Sequence, residues 1–143
     1  MADEGATAAI AAAVTAALDG VAGLSGVFDG APMRAGDAHA VVEIGPESDW
    51  GHKSGAGAEV RLAVLIRCGG ERHGRARALS YAARAAVEAI GPQLGPWRLV
   101  SLAMLRSRVV AARDGGRSGQ GPGWTGVVEY RARMLRTEDG APA

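Results

Sequence analysis

Chemistry needs side chains that pass protons, hold metals or attack electrophiles, and in this 143-residue chain such side chains are scattered. The three histidines, His39, His52 and His73, fall on an expected strand, a loop and a helix start, without the spacing of a metal site. Cys68 is the single cysteine, so no internal disulfide can form, and a reducing compartment fits it. Glu43, Glu47, Asp49 and Glu59 gather around one expected loop, where paired carboxylates do acid and base work. They are spread over polar sequence, and solvation accounts for them better. Gly69-Gly70-Glu71-Arg72-His73-Gly74 lies between a strand and a helix, where phosphate loops occur, but it lacks a Lys-Ser or Lys-Thr ending and the dinucleotide glycine spacing. The glycine-rich stretch from Gly115 to Gly123 leads into a strand and carries no lysine. Ser48, Ser54, Ser80 and Ser101 have no nucleophile-elbow setting. The chain is therefore read as non-enzymatic, with no catalytic residue, cofactor or metal expected.

Arginine is the remaining chemical resource. Arg61, Arg67, Arg131 and Arg133 are expected on the outer face of a sheet, and Arg72, Arg75, Arg77 and Arg84 on a helix. Two readings stand: a solvated charged face, or an intersubunit surface on which Arg61 or Arg131 pairs with an acid of a neighbour. The 16 basic and 15 acidic residues give a formal charge of +1, without the basic excess that drives non-specific nucleic-acid binding.

The elements that must position these groups follow from hydrophobic periodicity. Glu59 to Arg67 alternates, with Val60, Leu62, Val64 and Ile66 on one face and Arg61, Ala63, Leu65 and Arg67 on the other. The helix after it carries Leu79, Ala83, Ala86, Val87 and Ile90 at the spacing of a buried stripe, ended by Gly91-Pro92. A first helix is predicted over Ala6 to Leu18, a short edge strand over Leu24 to Phe28, and a strand over His39 to Ile44 stopped by Gly45-Pro46. Glu47 to Gly57 reads as an exposed hairpin loop holding Trp50, a ring that needs a partner within the fold or on another chain.

Two further strands, Trp97 to Arg113 and Trp124 to Leu135, form an antiparallel hairpin. The first would span about 55 Å at ~3.3 Å per residue, longer than the roughly 40 Å diameter of a compact chain of this size. Its apolar phase switches between Met104 and Leu105, which predicts a bulge near Leu105-Arg106. The distal part, Arg106 to Val127, is expected to leave the core and lie against something else, unless the strand is interrupted at Ser107. The fold expected is α+β: an antiparallel sheet of about four strands, two helices on one face and an extended β-hairpin arm. One domain covers residues 1–136, and 137–143 are an expected disordered tail. The opening residues are acidic where a secretory leader is basic, and no apolar run reaches the roughly 20 residues of a membrane span. With an aromatic content of only 4%, the core rests on Val, Leu, Ile and Ala, and association with other subunits could supply missing burial. A helix-covered sheet also admits a second reading, a small-ligand-binding or regulatory domain without catalysis.

The order of short patterns resembles a known family. Ala17-Leu18-Asp19-Gly20-Val21-Ala22-Gly23-Leu24, then Val27-Phe28-Asp29-Gly30-Ala31-Pro32, Val42-Glu43-Ile44-Gly45-Pro46, Asp49-Trp50 and Gly55-Ala56-Gly57-Ala58-Glu59 are similar to the tail completion, or tail terminator, proteins of long-tailed bacteriophages and gene transfer agents. Arg98-Leu99-Val100-Ser101-Leu102 and Gly126-Val127-Val128-Glu129-Tyr130-Arg131-Ala132-Arg133 continue the resemblance, which runs from about Ala6 to Arg136. It implies a virion structural protein assembled in the bacterial cytoplasm. Its copies would form a ring, commonly a hexamer, at the head-proximal end of the tail tube, stopping tube growth and joining the head. The implied partners are further copies of the chain, the major tail tube protein, a head-tail connector protein, and DNA as transient cargo through the lumen, with no membrane. Its protruding segments match the Trp50 loop and the distal hairpin. The residues expected at the subunit interface are Trp50, His52, Lys53, Arg106, Arg108, Arg113 and Trp124, and those facing the lumen are Arg61, Arg131 and Arg133.

Overall fold

The computed structural model describes residues 5–30, 36–112 and 123–137. Two helices, α1 (Ala6–Asp19) and α2 (Gly74–Glu88), accompany six strands: β1 (Val27–Asp29), β2 (His39–Asp49), β3 (Gly57–Gly69), β4 (Gln93–Leu94), β5 (Trp97–Ala111) and β6 (Gly123–Arg136). The strands form one sheet in the order β1-β2-β3-β6-β5-β4.

This corrects the expected antiparallel sheet of about four strands: there are six, and the sheet is mixed because β1 runs parallel to β2. The parallel pairing is extended by Ser25 N–H donating to Ala38 O and Ala40 N–H to Gly26 O. β1 stands at the sheet edge, shifted from the edge strand expected over Leu24 to Phe28, and β4, of two residues, is too short to show a period in sequence.

The expected arm is also corrected. β6 stays paired with β3 along its length, from Gly57↔Leu135 to Gly69↔Gly123, while pairing β5 on its other side. Among the described residues no two-stranded ribbon leaves the sheet. Residues 113–122, and the expected tail beyond Thr137, lie outside the described residues.

One apolar layer joins helices and sheet. Val60, Leu62, Val64 and Ile66 of β3 and Val128, Tyr130, Ala132 and Met134 of β6 are buried against Ile10, Val14 and Leu18 of α1 and Leu79, Ala83 and Val87 of α2. Each large side chain contributes about 1.5–3 kcal/mol relative to exposure. Gly126 lets α2 approach closely: a Cβ there would stand 2.1 Å from Ser80 Oγ. Polar contacts fix the helix further. Buried Tyr130 donates its hydroxyl proton to Glu88 at 2.9 Å, and Arg84 Nε donates to the same carboxylate oxygen at 3.1 Å. Burial, then the Glu88 contact, pushes the Tyr130 phenol well above its ordinary value.

Candidate assembly surface

The sheet face turned away from the helices carries a ladder of charges. Cross-strand register sets Glu59 opposite Arg133, Arg61 opposite Arg131, and Ala63 opposite Glu129. Arg133 Nε donates to Glu59 at 3.0 Å, and Arg106 Nε donates to Glu129 at 2.6 Å. Arg61 reaches Glu59 only at 3.9 Å. Arg61 and Arg131 face each other as like charges, an arrangement that costs stability unless an anion intervenes. Arg131 Nε is buried with no hydrogen-bond partner among the described residues. The face is not wholly polar, since Val41 and Leu65 are paired and buried on it.

The three expected lumen arginines therefore lie on this face, and Trp50 joins them. β2 runs on to Asp49 through a bulge between Ile44 and Glu47, so the expected loop from Glu47 shrinks to a turn between Asp49 and Gly57. Trp50 is partly buried, and the Arg133 guanidinium sits 5.5 Å from its ring centroid, a cation–π contact within the chain. His52 and Lys53 are exposed in the turn, where His52 Nδ1 lies 2.9 Å from Ser54 Oγ. Trp124 lies on the helix side, edge-on to His73 with 5.5 Å between ring centroids. Arg108 is exposed on β5, and Arg113 lies outside the described residues.

The uncovered apolar surface expected on a protruding hairpin lies instead along the edge of β5. Val100, Met104, Leu105 and Val110 are 42%, 37%, 43% and 36% exposed, and all four belong to this one strand. β4 covers only its first two residues, Trp97 and Arg98. Beyond Leu99, whose N–H donates to Pro92 O, the outer edge of β5 has no strand beside it among the described residues. The bulges between Leu99 and Ser101 and between Met104 and Arg106 explain why apolar side chains appear on both faces. The switch of apolar phase at Met104-Leu105 coincides with the second of these bulges, as the sequence predicts.

Between α2 and β5 runs a groove of about 330 Å³ whose lining includes Arg77, Tyr81, Arg84, Met104 and Arg108. Tyr81 on its rim is 71% exposed. Among the described residues no three His, Cys, Asp or Glu side chains are grouped to hold a metal ion, and no helix is long and apolar enough to cross a membrane.

These features define a two-layer α+β fold whose most distinctive surface is an open apolar sheet edge beside a charged sheet face. No protein-family model matches the chain, and no curated protein does. Among solved structures it is similar to a chain from the virion of a native gene transfer agent particle: 27% identity and a TM-score of 0.54, over 91% of this chain and 94% of that one. The likeness supports a structural role in a phage-like or gene transfer agent virion, alongside other virion proteins.

Proposed function

We propose that this chain is the tail terminator of a phage or gene transfer agent particle. It forms a ring, a hexamer by resemblance, at the head-proximal end of the tail tube, ends tube growth and joins tail to head without catalysing a reaction. The observation that carries the reading is the likeness to a gene transfer agent virion chain across nearly the full length of both chains. The uncovered β5 adds to it, because a long apolar edge strand is an aggregation hazard unless another chain covers it.

In this assembly Trp50, His52, Lys53, Arg106, Arg108, Arg113 and Trp124 lie at or near contacts between subunits, and Arg61, Arg131 and Arg133 face the lumen. The mixed signs of that face, with Glu59 and Glu129 between the arginines, suit DNA that must pass without being held. The remaining contacts are with the major tail tube protein and a head-tail connector protein. Size-exclusion chromatography with light scattering tests the reading. A closed oligomer at micromolar concentration is expected, and a strict monomer up to high micromolar concentration overturns it.

A further inference from the structure

Two strand edges are left open at opposite sides of the sheet, and their charges are opposite. On one side β5 is bare beyond Leu99, with Arg106 and Arg108 on the bare part and Arg98 just before it beside β4, and the strand carries no acidic residue. On the other side β1 covers β2 only at Ala40, Val41 and Val42. From Glu43 to Asp49 the outer edge of β2 has no strand beside it among the described residues, and this segment carries Glu43, Glu47 and Asp49 with no basic residue. Arg98, Arg108 and Glu43 make no ion pair among the described residues, so their charges are available to a neighbour.

We infer that the open β5 edge of one subunit receives the acidic β2 edge, Glu43–Asp49, of a second copy of this chain, head to tail. The inference rests on the ring reading and says which surfaces close the ring. Strand directions agree with it. β5 and β2 run antiparallel within the sheet, so a copy rotated about a ring axis presents its β2 antiparallel to β5. Lengths agree as well: the seven residues of the β2 segment span roughly 23 Å at ~3.3 Å each, and the bare part of β5 is longer.

Self-complementary pairing is opposed by charge. β5 against β5 sets arginines against arginines, and β2 against β2 sets carboxylates against carboxylates, whereas head-to-tail contact pairs opposite signs throughout. Pro46 and the bulge beside it deny β2 a continuous backbone ladder. Ion pairs therefore fix the register, and Val100 and Leu105 supply the apolar contact.

Charge exchange tests this. The double variants R98E/R108E and E43R/E47R are made separately, combined in one chain, and also mixed as separate proteins, with circular dichroism and thermal melting to verify folding. Each double variant alone is expected to raise the concentration needed for assembly by at least about 100-fold. The combined variant, and the equimolar mixture of the two doubles, are expected to assemble again, because each restores opposite charges at every contact. If a double variant misfolds, the single changes R108E and E43R at exposed, unpaired positions replace it. Assembly of both double variants at wild-type concentrations overturns the edge contact while leaving the ring reading intact. So does dissociation caused by R98E/R108E with E43R/E47R unaffected, since β5 would then meet some other surface. A wild-type chain that is itself monomeric overturns the ring reading, and this contact with it.

Discussion

Asp37 shows how one side chain ties distant segments together. Its carboxylate accepts the Gly69 N–H at 2.7 Å and an Arg75 guanidinium N–H at 2.8 Å, joining the approach to β2 to the end of β3 and the first turn of α2. These contacts, the Gly69 bond foremost, hold its carboxyl below the ordinary value of 3.8. A depressed folded value means stability that is present above about pH 4 and lost as pH falls through the folded value. The carboxylate is 55% exposed, so solvent screening keeps the effect below about 1 kcal/mol. Asp37→Asn is expected to lower the melting temperature slightly at pH 7, with the difference from wild type shrinking by pH 3. A difference that stays constant across that range would assign the effect to packing instead. At this scale the sequence identifies residue types but not their partners. Trp50 and Arg133 both stand out as candidates, yet their stacking depends on the pairing of β3 with β6, which brings Glu59 and Arg133 together across 74 positions.

Among the elements, the β2–β3 turn is held by close packing. A Cβ on Gly57 would lie 2.5 Å from Trp50 O and 2.8 Å from Leu135 Cδ2, and the first of these neighbours is backbone that cannot rotate away. Gly57→Ala is expected to destabilise the fold by about 1–3 kcal/mol, the usual cost of overpacking, as measured by urea denaturation. An unchanged midpoint would show that the turn re-forms elsewhere. The long strands and both helices were legible because each buries one face and repeats its period several times. The bulge in β5 was legible for the same reason, since its apolar phase breaks where the register shifts between Met104 and Arg106. The extension of β2 past Gly45-Pro46 was not. A Gly-Pro pair has the composition of a stop, and only pairing with β3, resumed at Glu47↔Val60, turns it into a bulge.

For the whole molecule, sheet order decides which surfaces remain to be covered, and order was the least legible property. Placing β6 between β3 and β5 makes the hairpin part of the sheet and moves the uncovered apolar surface from a ribbon to a single edge. That shift has a thermodynamic signature. An edge contact built on arginines against carboxylates weakens as salt screens it, because the screening length falls from about 10 Å at 0.1 M to about 3 Å at 1 M. Burial of Val100, Met104, Leu105 and Val110 does not weaken with sodium chloride in this way, so the two contributions separate on a salt titration. Sedimentation velocity between about 0.1 M and about 1 M sodium chloride is expected to show the dissociation constant for assembly rising at least about tenfold. The E43R/E47R and R98E/R108E proteins, whose edges repel, are expected to show the opposite slope, associating better as salt rises. A wild-type constant that is flat or falls with salt would mean that apolar burial alone joins the subunits, and that the opposite charges of the two edges serve only to orient them.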